Sequence, residues 1–264
     1  ASFTSVDDRL YQDLLQLLEQ RGELENTIVL VTGDNGMAFP RAKANCYEYG
    51  IHVPLAIRWP GKGKPGRVVD DLVSFVDLAP TLLEVAGLPP ERAMVGKSLA
   101  TLLKSDKSGV VEPERRQVFS ARERHSSSRY QNWTYPQRAM RTDRYLLIRN
   151  FRPDRWPAGA PQKLNSDGSL GPMHGAYHDI DACPSLSFLV KHRDEPGIAP
   201  FFQWSVAKRP AWELFDVHKD PGCLENLIGS PVARDVEPGL KRDLESFLTQ
   251  TRDPRILDGG DIFE

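Results

Sequence analysis

Apolar residues follow several different rhythms along this chain. Between residues 6 and 20, Val6, Leu10, Leu14, Leu17 and Leu18 recur at helical spacing, and Gly22 closes the stripe. Leu24 to Asn26 then lead into Ile28 to Val31, a short apolar run without alternation, which predicts a strand buried on both faces of a parallel sheet. Pro54 to Trp59 reads as a second strand, closed by Pro60-Gly61. Val73 to Gly87 reads as a helix with Asp77 as its cap, Pro80 in its first turn, and Leu78, Leu82, Leu83 and Val85 or Ala86 facing inward. Gly87 and Pro89-Pro90 stop it.

Val118 to Glu123 is a third strand, and Arg122 to Arg129 a polar loop carrying His125. Gln137 to Asn150 predicts two short strands around Thr142-Asp143, after which about sixty residues rich in Pro and Gly show little periodicity. Ala211 to Val217 is another strand, followed by a turn at Asp220-Pro-Gly222 and a helix over 236–249 built on Leu240, Leu244, Phe247 and Leu248. The fold class expected is α/β: a wound α/β part over residues 1–135, then a small α+β subdomain over 136–264 with an antiparallel sheet and a late helix. The opening helix feeds a buried strand with no strand before it, as if cut from a larger domain.

With 264 residues there is ample chain for a core, and 40% hydrophobic with 27% charged residues is ordinary for a globular protein. A formal charge of -2 gives no reason to expect nucleic acid or an anionic membrane as partner, and no apolar run reaches the length of a membrane span. Cys46, Cys183 and Cys223 are too few and too scattered for a disulfide framework or a zinc site.

Candidate chemistry begins where the first strand stops. Polar residues after such a strand stand where open sheets bind ligands. Asp34 offers a carboxylate and Asn35 an amide oxygen, hard donors suited to calcium or magnesium, while Gly36 would let the chain turn sharply. The plain alternative is that Asp-Asn-Gly is only a turn. The loop from Met37 to Tyr49 that follows holds Lys43, a point charge that is either a ligand contact or a solvated surface lysine. His125 at a strand end could hydrogen-bond or exchange protons with a ligand, with Glu123 or Arg124 as companions. Trp133, Tyr135, Trp156, Phe201, Phe202 and Trp204 could line a sugar pocket, although packing is the simpler account. The remaining histidines, His174 among them, show no ligand spacing, and His52 reads as structural.

Thr32-Gly-Asp-Asn-Gly36, Lys43, Tyr47-Glu-Tyr-Gly50 and Val53-Pro54, in that order and spacing, resemble the second half of the sulfatase family. Glu213-Leu-Phe-Asp-Val-His-Lys-Asp-Pro221 with Glu225-Asn-Leu227 is similar to its C-terminal signature. Asn35-Gly-Met-Ala-Phe-Pro40, Asn45 and Tyr135-Pro-Gln-Arg138 are most similar to the heparan N-sulfatase branch. The resemblance implies an alkaline-phosphatase-like fold, calcium bound through Asp34 and Asn35, Lys43 on the sulfate, and a sulfated sugar as substrate. It implies that calcium orients a hydrated formylglycine whose hydroxyl attacks sulfur while cations offset the charge that develops. It also implies a periplasmic, secreted or lysosomal setting.

One departure bears on mechanism. The family makes its formylglycine from cysteine in Cys-x-Pro-x-Arg or Cys-x-Ala-x-Arg, and none of the three cysteines stands in such a setting. The expectation is therefore a chain that shares its calcium site with a missing N-terminal half, is inactive alone, and is prone to self-association through the surface that half would cover. Two other readings compete: a noncatalytic or split-chain carbohydrate binder, and a phosphoryl-transfer relative using transition metals on the same fold.

Overall fold

A computed structural model describes residues 5–126, 129, 132–161, 165–169, 171 and 177–263; the side chain of Val6 and all of His174 lie outside the described residues. In chain order the first elements are α1 (Ser5–Gln20), β1 (Val29–Thr32), α2 (Glu48–Ile51), β2 (Leu55–Arg58), α3 (Leu78–Val85) and α4 (Ala100–Lys104). Then follow β3 (Gln117–Arg122), β4 (Gln137–Thr142), β5 (Tyr145–Asn150), α5 (Pro184–Lys191), α6 (Ala199–Val206), β6 (Trp212–Asp216), α7 (Glu237–Gln250) and α8 (Pro254–Leu257). The chain forms two compact units, one of residues 1–33 and 54–116, the other of residues 34–53 and 117–264. None of the described helices is long and apolar enough to cross a membrane.

In the first unit, α1 ends as its sequence predicts. Gly22 takes a φ of 71°, and the Gly22 and Glu23 amides donate to the Glu19 and Leu18 carbonyls. The apolar stripe of α1 is not a buried face, however: Leu10 is 70% exposed, and Leu14 and Leu17 are exposed with it. The parallel sheet is also corrected. β1 pairs antiparallel with β2 in a two-stranded ribbon, from Val29 opposite Arg58 to Thr32 opposite Leu55, and only Val29 of β1 is buried. A four-residue apolar run carries no information on strand direction, and here the Thr32 hydroxyl donates to the Pro54 carbonyl at 2.8 Å to close the ribbon.

Asp77 does not cap α3 with its side chain. Its buried carboxylate instead accepts from the Ser74 amide at 3.1 Å, the Lys97 amide at 2.7 Å and Arg115 Nη1 at 3.2 Å. The buried positions of α3 are Pro80 and Thr81, while Leu82 is exposed. Thr81 Oγ1 donates to the Asp77 carbonyl and accepts from the Leu99 amide, so a polar latch replaces the apolar face that periodicity predicts.

The second unit is built on an antiparallel sheet ordered β3-β4-β5-β6. β3 pairs with β4 from Gln117 opposite Thr142 to Arg122 opposite Gln137, so the division expected between residues 135 and 136 runs between two bonded strands. Alternation then sorts side chains to two faces. Met140, Leu147 and Leu214 pack on Leu244 and Leu248 of α7, the late helix that the sequence predicts. Ala139, Leu146, Ile148 and Phe215 face the other way and bury Cys46 and Tyr47. The sheet thus pins the polar loop that carries Lys43. The stretch of little periodicity contains α5 and α6, which enclose a third core of Tyr177, Ile180, Phe202 and Val206.

Candidate active site

The loop from Asp34 to Val53 is held by backbone packing before any side chain acts. A Cβ on Gly36 would stand 2.1 Å from the Tyr49 carbonyl oxygen, and one on Gly50 2.2 Å from that of Asn45. Gly36 has no left-handed φ, so close approach, not a sharp turn, is what requires glycine there. Arg41 and Ala44, on either side of Lys43, do take left-handed φ values of 67° and 61°. Residues held in that region by their surroundings mark a segment whose shape is imposed from outside.

Tyr47 anchors the imposed shape. Its ring meets Phe215 edge to face at 5.6 Å, its hydroxyl donates to Glu213 Oε1 at 2.7 Å, and burial pushes its pKa well up. The guanidinium groups of Arg41 and Arg209 lie 3.9 and 4.5 Å from the same ring. Arg209 Nη2 donates to Asn45 Oδ1, and Asn45 Nδ2 donates to the Lys43 carbonyl, both at 2.8 Å. Glu48 is gripped by Arg141, with contacts of 2.8 and 3.1 Å, and by His52 at 2.9 Å. Burial alone would raise the Glu48 pKa, but the hydrogen bonds from His52 and Arg141 outweigh it and bring the value down to about 2. His52 is accordingly a structural partner.

On this frame Lys43 Nζ reaches Asp181 Oδ2 at 2.8 Å, with 30% of the lysine side chain still accessible. The Asp181 segment is itself clamped. Asp179, two residues earlier, accepts from Arg122 at 2.5 Å, Arg129 at 2.7 Å and Ser126 at 2.9 Å. Asp181, Arg209 and Arg41 gave no signal in sequence, because each earns its place by a contact over more than one hundred residues.

Asp34 is exposed and accepts from Asn35 Nδ2 at 2.5 Å. That bond, and more weakly the charge of Lys43, lower its pKa, so it is an anion at neutral pH. Donor chemistry at the pair, one carboxylate and one amide, suits a hard cation, although two residues supply only part of a calcium shell. Among the described residues no group of three or more His, Cys, Asp or Glu is arranged to hold a metal.

His125 is exposed just beyond β3. Glu123, named beside it as a ligand contact, is already engaged, with Arg138 at 2.7 Å and Arg255 at 2.6 Å. The aromatic group named for a sugar pocket is divided: Tyr135 and Phe202 are core, whereas Phe201 and Trp204 line an open cleft. Burial pushes the thiols of Cys46 and Cys223 to about 11 and about 12, which keeps both protonated.

Residues 2–88 match the family model described as Sulfatase. The chain is 32% identical to an ulvan-active sulfatase of Formosa agariphila, over 92% of its own length and 36% of the relative's. It is 26% identical to the human N-sulphoglucosamine sulphohydrolase, over 95% of its own length and 47% of the relative's. It thus spans between about a third and a half of these relatives. Its fold is similar to that of BT4656, solved in complex with its substrate D-glucosamine-2-N,6-O-disulfate, with a TM-score of 0.61 at 21% identity, over 96% of this chain and 39% of the other.

Proposed function

Since this chain belongs to the sulfatase family of hydrolases, we propose that its loop from Asp34 to Val53 holds the sulfate group in an enzyme that removes N-sulfate from glucosamine of heparan-type sugars. The observation that carries this reading is the setting of Lys43. Its backbone is fixed through Asn45 and Arg209, its ammonium is oriented by Asp181, and part of its side chain still faces solvent. An ammonium has three donors, so Lys43 can keep Asp181 and donate to a sulfuryl oxygen as well. There it offsets negative charge on the sulfuryl oxygens while the bonding pair passes to the leaving nitrogen.

Asp34 and Asn35 would hold calcium through their side-chain oxygens, with the other ligands coming from outside this pair. When bound, the ion supplies positive charge that polarises the sulfuryl group. His125 contacts the sugar, and Glu123 fixes the end of β3 beneath it through Arg138 and Arg255. None of Cys46, Cys183 and Cys223 stands in the formylglycine motif, so in this reading the nucleophile would be supplied by another segment. N-sulfoglucosamine is favoured as substrate by the likeness to the human N-sulphoglucosamine sulphohydrolase along nearly the whole chain.

The test is sulfate release from N-sulfoglucosamine by protein that carries both this chain and the formylglycine segment. Lys43→Ala should lower kcat/KM by about two orders of magnitude or more, as loss of one charge-stabilising donor does elsewhere. The 264-residue chain alone should release none. Undiminished turnover after replacing both Asp34 and Lys43 would sink the reading, and preference for an O-sulfated sugar would overturn its N-sulfate part.

A further inference from the structure

A cleft of 680 Å³ opens between Pro40-Arg41 and the helices α5 and α6. Phe188, Phe201 and Trp204 line it and are 50%, 55% and 38% exposed, with Phe201 and Trp204 edge to face at 5.5 Å. Three large aromatic side chains gathered at one open surface mark a place where something apolar is received.

Both walls descend from the ion pair of Lys43. Arg41 stands two residues before Lys43, and Pro184 three residues after Asp181. At no more than roughly 3.6 Å per residue, the cleft begins within about 11 Å of that pair. Arg41 adds charge to the wall. Its Nη1 donates to the Trp204 carbonyl at 2.7 Å and its Nη2 to the Cys223 carbonyl, and no carboxylate pairs with it among the described residues. A guanidinium met by two carbonyl dipoles and the face of the Tyr47 ring, and by no carboxylate, keeps its full charge, so the cleft combines flat apolar faces with a cation.

We propose that the cleft is a saccharide subsite that takes the sugar unit next to the one whose sulfate meets Lys43, with the sulfate or carboxylate of that second unit toward Arg41. The C–H face of a pyranose matches the apolar rings, Ser185 offers a hydroxyl at the same wall, and the anionic substituent complements Arg41. The inference rests on the reading of Lys43 as the sulfate contact.

Calorimetric titration of the 264-residue protein, in calcium-containing buffer, with N-sulfoglucosamine and with an N-sulfated heparan tetrasaccharide tests it. The tetrasaccharide should bind more tightly than the monosaccharide. Phe201→Ala and Trp204→Ala should each weaken the tetrasaccharide by about tenfold and leave the monosaccharide within about twofold. Phe201→Ala guards against a folding defect at Trp204, whose carbonyl holds Arg41, and circular dichroism checks both variants. Equal losses for both probes, no loss in a folded Phe201→Ala, no detectable tetrasaccharide binding, or dimerisation that Phe201→Ala abolishes would each overturn the subsite. Lys43→Ala separates the two readings. If it weakens both probes while Phe201→Ala weakens neither, the cleft fails and the sulfate contact stands. If it weakens neither while Phe201→Ala selectively weakens the tetrasaccharide, the aromatic saccharide site stands and its link to Lys43 fails.

Discussion

Tyr47 shows how single residues set the site. Its ring carries two guanidinium groups, and its hydroxyl is tied to Glu213 on β6, so the segment before it has little freedom. Glu48, the next residue, converts that anchoring into pH dependence. Its carboxyl titrates near 2 in the folded protein, below the ordinary value of 4.5. A depressed carboxylate stabilises the fold fully above the unfolded pKa and loses that contribution as pH falls through the folded one. Thermal unfolding should therefore show stability lost between about pH 4.5 and pH 2, and Glu48→Gln should flatten that part of the profile. The raised pKa of His52, which the bond to Glu48 causes, acts in the opposite sense and is lost as pH rises through its folded value. An unchanged acid slope in Glu48→Gln would remove Glu48 as its source. The acid, amide and lysine proposed for this site could be named from sequence because they follow one another along a single loop. Gly36 was legible only as a glycine, since the carbonyl it must approach is thirteen residues away in Tyr49.

Elements differ in how openly the chain declares them. α7 repeats its apolar positions over 14 residues and packs where periodicity predicts, with Leu244 and Leu248 buried against the sheet. Leu248→Ala should cost about 3 kcal/mol in urea unfolding, the range for a fully buried leucine in a well-packed core. A loss below about 1 kcal/mol would mean that α7 contributes little to holding the sheet. α5 and α6 have eight residues each and start with Pro in the first turn, too short for an isolated helix to be stable or for a period to emerge. They form because Leu186, Leu189 and Phe202 close a core with Tyr177 and Ile180. β1 fails in the other direction: four apolar residues declare a strand clearly and its partner's direction not at all.

For the molecule as a whole, the exposed leucines of α1 carry a solution consequence. Leu10, Leu14 and Leu17 offer an apolar stripe to solvent, and such stripes are buried when a partner surface is available. The isolated 264-residue chain should self-associate with rising concentration in sedimentation velocity, and Leu10→Lys with Leu14→Lys should shift it toward monomer. A monomer across the micromolar range would discard that expectation. By itself the sequence determined what depends on neighbours a few positions apart: the stop of α1 at Gly22, the period of α7, the extended runs that become β4, β5 and β6, and the order of Asp34, Asn35 and Lys43 along one loop. Only the tertiary structure decided which acid orients Lys43, which arginine holds Asn45, and which aromatic rings face a cleft. Asp181 is 138 residues from Lys43. At that separation many carboxylates could have served, and a contact made once, across space, leaves no repeat along the chain from which to read it.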